Sequence, residues 1–145
     1  RPTVGEYYKI LGDIFLADKK SEQAISVYRK GYKVDVSSIQ LGMSLARVLR
    51  LNGEEREALD IVKKISSRCG NLTFAATLAS WRLSYVASSA EHLVAMRRDY
   101  ERSVNALETC DGSVDEDLLL YAATNFLGAY QAKDDRKFQE IIGEK

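Results

Sequence analysis

A recurrence with a period of about 34 residues constrains this chain more than any other feature of its sequence. When the 145-residue sequence is compared with itself at that offset, Leu11 falls on Leu45 and Ala24 falls on Ala58. Four further pairs keep their size class or stay apolar: Gly12 with Ala46, Phe15 with Leu49, Tyr28 with Val62, and Gly31 with Ile65. We call the spacing from Leu11 to Leu45 the repeat offset. A fixed period of this kind indicates an array of supersecondary units, each of which buries its apolar face against its neighbours.

Each unit has a helical pattern in two parts. Tyr8, Leu11 and Phe15 recur at spacings of three and four residues, so they share one face of a first helix. The segment 24–31 repeats that spacing for a second helix, and small residues between the large ones let two antiparallel helices approach closely. The only proline is Pro2, so nothing interrupts a long run of helices.

Helix-start signals divide the chain in the same way. A Ser or Thr followed three residues later by Glu or Gln is typical of a capping box. Such pairs are Thr3 with Glu6, Ser37 with Gln40, Ser88 with Glu91, and Ser113 with Glu116. The dipeptide at 52–53, Asn-Gly, predicts a turn. We therefore expect helices over 4–17, 21–34, 38–51, 54–68, 72–87, 89–110, 114–131 and 135–143.

These helices group into one domain of four units. The units span about 5–38, 39–72, 73–112 and 113–145. The third unit departs from the period, because its second helix is displaced by more than the repeat offset: Ala58 falls on Tyr100 and Val62 on Val104. We place the eight extra residues, about two helical turns, at the start of the helix that begins near Ser89.

The strings Tyr8-x-x-Leu11-Gly12-x-x-Phe15 and Ala24-x-x-x-Tyr28-x-x-Gly31 resemble the tetratricopeptide repeat signature. The proline common shortly after such a unit is replaced here by Val36. The resemblance is best over 5–72 and weaker beyond. It implies an all-α fold, a right-handed superhelical stack of antiparallel helix pairs with about eight helices.

The resemblance further implies a concave groove lined by the first helix of each pair, where a partner protein or peptide binds. The expected groove residues lie on helix faces opposite or beside the seam within each unit. They are Lys9, Asp13, Gln40, Met43, Arg47, Arg50, Phe74, Thr77 and Trp81, with Glu6, Leu16 and Ser84 beside them.

Three of these residues have alternative roles. Trp81, the only tryptophan, either anchors a partner peptide or packs between neighbouring repeats. Arg47 and Arg50 are three residues apart, so they either fork onto an acidic ligand or form an exposed face paired with acids such as Glu54.

Some members of the family hold the C-terminal carboxylate of a peptide with Lys and Asn side chains. Lys9 stands where such a Lys would be, whereas Asp13 and Ser44 stand at the Asn positions. The charge of Asp13 would repel a carboxylate, so we do not expect this binding mode.

Composition excludes several function classes. Lys plus Arg and Asp plus Glu number 21 each, so the chain has no net field to attract nucleic acid or an anionic membrane. No apolar run approaches the roughly 18 residues of a membrane span. His92 is the only histidine and has no nucleophile nearby in sequence. Because no phosphate loop, CxxC or HExxH occurs either, we expect no enzymatic activity, cofactor or metal.

The leading hypothesis is therefore a protein–protein interaction scaffold or adaptor within a larger complex. The alternatives are an RNA-binding helical repeat and a helical accessory domain of a larger enzyme. Self-association through the third and fourth units is a further option, since Leu93, Met96, Tyr100, Val104 and Leu107 recur at helical spacing. We expect a cytoplasmic location, with two reduced cysteines, and a fragment or processed product, since no Met begins the chain.

Overall fold

The structure is a computed structural model that describes residues 3–69 and 88–106 and the single positions 136 and 140. Within these residues every regular element is an α-helix, and no strand occurs. The helices are α1 (Val4–Ala17), α2 (Ser21–Val34), α3 (Ile39–Leu51), α4 (Glu55–Cys69) and α5 (Ala90–Ala106). By its internal contacts the chain divides into two compact units, Arg1–Ile65 and Ser66–Lys145.

The first four predicted helices match the observed ones to within one residue at each end. The predicted helix 89–110 is observed as Ala90–Ala106, and its last four positions lie outside the described residues. Also outside them are the predicted helices 72–87 and 114–131 and, apart from positions 136 and 140, 135–143. In the described part of the chain, no helix is long and apolar enough to cross a bilayer.

The predicted capping box at the start of α1 is confirmed. The Thr3 hydroxyl accepts a hydrogen bond from the Glu6 N–H at 3.3 Å, and the Glu6 carboxylate accepts one from the Thr3 N–H at 2.5 Å. Two backbone donors that the first helical turn leaves without carbonyl partners are thereby satisfied.

The boxes predicted at Ser37 and Ser88 are each wrong by one residue. At α3 the cap is Ser38, whose hydroxyl accepts from the Leu41 N–H, because the Asp35 carboxylate instead accepts from the Ser37 hydroxyl at 2.7 Å. At α5 the His92 N–H donates to the hydroxyl of Ser89 at 3.1 Å. The box predicted at 113–116 lies outside the described residues.

The turn after α1 and the turn after α3 have the same backbone design at the repeat offset. After α1, the N–H of Lys20 donates to the carbonyl of Phe15 and that of Lys19 to Leu16. After α3, the N–H groups of Glu54 and Gly53 donate to Leu49 and Arg50. Lys19 and Gly53 adopt the left-handed backbone conformation, with φ of 60° and 87°. Both turns are therefore Schellman motifs, which satisfy the last carbonyls of a helix.

Two close approaches hold α1 against α2. A Cβ added to Gly12 would lie 2.1 Å from the Tyr28 ring, and one added to Gly31 would lie 2.3 Å from Tyr8 Cβ. Each glycine thus admits a large ring from the facing helix. Tyr28 is fully buried there, which makes the α1–α2 seam a packed contact between a ring and a backbone.

The hairpin of α3 and α4 makes the equivalent contact, but the small residue is on its first helix and the large one on its second. A Cβ added to Gly42 of α3 would lie 2.8 Å from Ile65 of α4. Gly42 and Ile65 correspond to Tyr8 and Gly31 at the repeat offset, so the glycine has moved from the second helix to the first. Because the start of α3 meets the end of α4, the two helices run antiparallel.

The helix α3 is enclosed on nearly every side. All six residues from 41 to 46 are buried, as are Val48, Leu49 and Arg50. The core around it includes Ala24, Ile25, Tyr28, Leu41, Met43, Leu45, Ala46, Leu49, Ala58, Ile61, Val62 and Ile65. A helix whose apolar residues extend around its circumference is typical of the interior of a helical stack.

The helix α5 belongs to the second unit and buries four side chains: Met96, Arg97, Tyr100 and Val104. The Arg97 guanidinium donates to the Glu101 carboxylate at 2.7 Å and lies 5.5 Å from the Tyr100 ring centre. These contacts stabilise a buried cation within α5.

Candidate functional site

The predicted groove draws its first residues from α1 and α3, which contact each other in the first compact unit. Exposed polar side chains occupy equivalent positions on the two helices. Glu6 of α1 corresponds to Gln40 of α3, and Asp13 corresponds to Arg47. Because both pairs are exposed, the first helices present a polar row in the same register. We call these four residues the polar row.

Two members of the polar row are available to a partner. Gln40 and Arg47 are exposed, and neither forms a hydrogen bond or ion pair with another described residue. Together they offer the donors of an amide and a guanidinium, and one amide oxygen, without breaking a contact of the fold.

Lys9 and Asp13 are connected to the fold instead. The Lys9 ammonium donates to one Asp13 oxygen at 2.8 Å, and the buried Tyr28 hydroxyl donates to the other at 2.6 Å. The Asp13 carboxylate therefore fixes the ring that packs against Gly12. Lys9, half-buried beside it, has its charge balanced within α1.

Met43 and Arg50 were expected in the groove, but the structure places both in the interior. Met43 is 1% exposed and Arg50 is 6% exposed. The expectation assumed that α3 keeps one face free along its whole length, whereas packing leaves only the positions of Gln40 and Arg47 open on that side. The side chains exposed on this surface are therefore those of Gln40 and Arg47 and not those of Met43 or Arg50. Phe74, Thr77 and Trp81, the other predicted groove residues, lie outside the described residues.

A link between the hairpins was missed by the sequence reasoning. The Arg29 guanidinium of α2 donates to Glu54 at 2.5 Å, and to the two Glu57 oxygens at 2.6 and 3.0 Å. Glu54, which the sequence offered as a partner for Arg47 or Arg50, thus binds Arg29. The signal was present, since two acids lie at the start of the second helix of the next unit, but sequence alone does not show which cation reaches them.

This link shifts the pKa values of its members. The hydrogen bonds from Arg29 lower the pKa of the Glu57 carboxyl below its usual value, although partial burial opposes the shift. The hydrogen bonds to Glu57, and then to Glu54, raise the pKa of the Arg29 guanidinium. All three side chains remain more than a third exposed, so solvent screens the attraction.

A second surface that the sequence reasoning missed is apolar. Val4, Tyr7, Ile10, Leu11 and Ile14 of α1 are 44–61% exposed. Their spacing of three, four and seven residues puts them on one helix face, which we call the α1 stripe. Leu11 was predicted to share a helix face with Tyr8, but the seam with α2 is made by Tyr8, Gly12 and Tyr28, and Leu11 lies beside it.

Within residues 3–69 and 88–106, no group of three or more His, Cys, Asp or Glu side chains is arranged to hold a metal ion. His92 is placed at the start of α5, where its Nδ1 accepts from the Ser88 N–H at 3.1 Å. Its ring thus has a role at a helix end. The polar row and the α1 stripe are two exposed surfaces of the first compact unit.

No family model, curated protein or solved structure matches this chain.

Proposed function

We propose that this chain is a helical-repeat scaffold of the tetratricopeptide type, which binds a segment of a partner protein along the polar row. The observation that carries the proposal is the repetition of one backbone design, since the α1–α2 and α3–α4 connections are the same Schellman turn at the repeat offset. The finer architecture belongs to the proposal: a right-handed superhelical stack with about eight helices.

The polar row supports binding rather than chemistry. Gln40 and Arg47 are exposed on α3, whose residues 41–46 and 48–50 are buried, so the backbone that carries them is fixed by packing. Binding therefore requires ordering of the two side chains but not of the backbone that carries them. Arg47 favours a carboxylate or a backbone carbonyl of the partner segment, since guanidinium forms paired hydrogen bonds to such oxygens.

The proposal includes no catalysis by the chain itself and a place within a larger complex. For its compartment we propose the cytoplasm, because two cysteines without a disulfide framework suit a reducing environment.

The test is affinity capture compared between variants. The chain carrying Gln40→Ala with Arg47→Glu should lose at least tenfold of the protein captured specifically by the natural chain. The matched control is Arg56→Glu, which reverses an exposed charge on α4 outside the polar row. Circular dichroism verifies that all variants keep their helical content.

Equal capture by the natural chain and the polar-row variant would show that the row does not bind the partner. Capture of single-stranded RNA that falls steeply with added salt would replace this proposal with an RNA-binding helical repeat.

A further inference from the structure

The α1 stripe has a buried counterpart within the same chain. At the repeat offset, Tyr7, Ile10, Leu11 and Ile14 correspond to Leu41, Ser44, Leu45 and Val48. The α1 side chains are 44–61% exposed, whereas their counterparts on α3 are 0–7% exposed. The chain thus leaves open on α1 a surface that it covers on α3, and exposed apolar faces of this kind mark interaction sites.

The cover on α3 shows what kind of surface fits there. It includes the helix α2, which packs against α3 through Gly31 and Tyr32. A Cβ added to Gly31 would lie 3.0 Å from a Leu41 methyl, and one added to Gly42 would lie 2.8 Å from the Tyr32 ring. The fitting surface is therefore a helix with a small residue followed directly by an aromatic one.

We propose that the α1 stripe docks an amphipathic helix of another protein, placed against α1 as α2 is placed against α3. This surface is distinct from the polar row, and the inference does not depend on the proposed function. The docked helix carries a small residue opposite Tyr7, because Gly31 lies opposite Leu41, the counterpart of Tyr7. The residue that follows it must be smaller than Tyr32, because Tyr8 fills the space that Gly42 leaves to the Tyr32 ring.

The charge expected on the docked helix distinguishes a helix of another protein from a second copy of the chain. On α2, Arg29 reaches Glu54 and Glu57 of the next hairpin. The counterparts of those two acids in the preceding unit, at the repeat offset, are Lys20 and Gln23. A helix docked on α1 is therefore complementary when it carries an acid at the place of Arg29, two residues before the small residue.

A second copy does not supply that acid. Its α2 is already packed against its own α3, and the counterpart of Arg29 on α4 is Lys63. Stacking α4 of one copy on α1 of another would bring Lys63 towards Lys20, a repulsive pair. Among the described residues Lys20 forms an ion pair only with Asp18, at 3.1 Å between side chains that are half exposed, so the ammonium can turn to an incoming carboxylate at small cost.

The probe for this proposal is a peptide with the sequence of residues 21–36 and two substitutions, Arg29→Glu and Tyr32→Ala, the second of which removes the ring that would meet Tyr8. A lactam between Glu22 and a Ser26→Lys side chain, both on the exposed side of α2, holds it helical, which a peptide of this length does not achieve alone. Two control peptides differ at one position each: one keeps Arg29, and the other adds Gly31→Leu to the probe.

Fluorescence anisotropy with the natural chain should show saturable binding of the probe. The peptide that keeps Arg29 should bind about fivefold more weakly, as expected for exchanging one attractive exposed pair for a repulsive one. The Gly31→Leu peptide should bind at least tenfold more weakly, because its side chain occupies the space of the Tyr7 contact.

Protein variants locate the binding site. Tyr7→Glu and Ile14→Glu each introduce a charge into the α1 stripe at positions 61% and 54% exposed, so the fold is preserved while probe binding falls at least tenfold. Leu51→Glu is the matched control, since Leu51 is 68% exposed outside the stripe. Arg47→Glu should also leave probe binding unchanged, which separates this proposal from that for the polar row.

Three outcomes would overturn the proposal. The first is no saturable binding of the probe up to about 1 mM, the weakest affinity that a specific helix contact is expected to have. The second is equal binding by Ile14→Glu, which would place the peptide elsewhere, for example on α3. The third is a dimer of the natural chain in sedimentation equilibrium that Ile14→Glu abolishes, because a second copy would then be the occupant.

Discussion

The helices α1 and α3 are the same design in two settings. Both start from a hydroxyl cap, both end in a Schellman turn, and both carry apolar residues at equivalent positions. Yet α1 leaves five large apolar side chains exposed, whereas α3 is buried almost all around. The difference lies in the neighbours, since α3 has a helix pair before it within the described residues and α1 does not. The burial of a helix face thus depends on which helices pack against it as much as on the residues of that face.

The test with the largest expected change in unfolding free energy substitutes one leucine on each helix. Leu45 is 1% exposed and Leu11 is 44% exposed, although they are equivalent in the repeat. Leu45→Ala should lower the free energy of unfolding by about 3 kcal/mol, through lost burial and a residual cavity. Leu11→Ala should lower it by less than about 1 kcal/mol. Urea unfolding followed by circular dichroism measures both, and equal losses would contradict the comparison.

The next test concerns the seams within the two hairpins. A Cβ at Gly12 would lie 2.1 Å from the Tyr28 ring, which cannot withdraw easily because its hydroxyl is bound to Asp13. Gly12→Ala should therefore cost about 2 kcal/mol of unfolding free energy despite the higher helix propensity of alanine. The equivalent position, Ala46, already carries a Cβ, and Ala46→Gly should cost only about 1 kcal/mol. A stabilising Gly12→Ala would show that the seam is loose.

A third test removes the link between the hairpins. Glu57→Gln deletes one carboxylate that Arg29 binds, and should lower the unfolding free energy at pH 7 by about 1 kcal/mol or less, since both side chains are partly exposed. The matched control is Glu55→Gln, which alters a neighbouring acid on α4 that forms no ion pair with a described residue.

The pH dependence of that link follows from the lowered pKa of Glu57. A carboxyl with a lower pKa in the folded state than in the unfolded state stabilises the fold above the unfolded pKa. This contribution is lost as the pH falls through the folded pKa. The natural chain should therefore lose more stability than Glu57→Gln between about pH 5 and pH 3, and the two should converge in acid. Parallel curves over that range would contradict the role of Arg29.

Sequence periodicity was enough to predict the helices of the described region. Spacing of apolar residues and turn signals act locally, so α1 to α4 were placed within one residue of their observed ends. The caps at Ser38 and Ser89 were missed by one residue because adjacent serines compete. At α3 the choice was made by the side chain of Asp35, a contact that a motif alone does not contain.

The candidate site was less predictable, because it depends on packing between helices. The comparison at the repeat offset aligned Gly31 with Ile65. It did not show that the change from glycine to isoleucine is compensated on the facing helix, where Gly42 replaces Tyr8. That comparison also could not show that α3 is enclosed. Because it is, Met43 and Arg50 lie in the interior and not in the predicted groove. The exposure of the α1 stripe was not predictable for the same reason. Its residues are as apolar as those that α3 buries, so only the packing between helices distinguishes the two faces.

The smallest test concerns the turns that the two hairpins share. Lys19 and Gly53 hold the same left-handed position, with φ of 60° and 87°, but only glycine adopts it without strain against a Cβ. Lys19→Gly should raise the free energy of unfolding by about 0.5 kcal/mol, the relief of strain being partly offset by the added freedom of glycine in the unfolded chain. Gly53→Lys should lower it, and Lys33→Gly, on the exposed side of α2, serves as the control that should be destabilising. If Lys19→Gly lowers stability as Lys33→Gly does, the two turns do not share one backbone design, and the structural repeat is restricted to the helices.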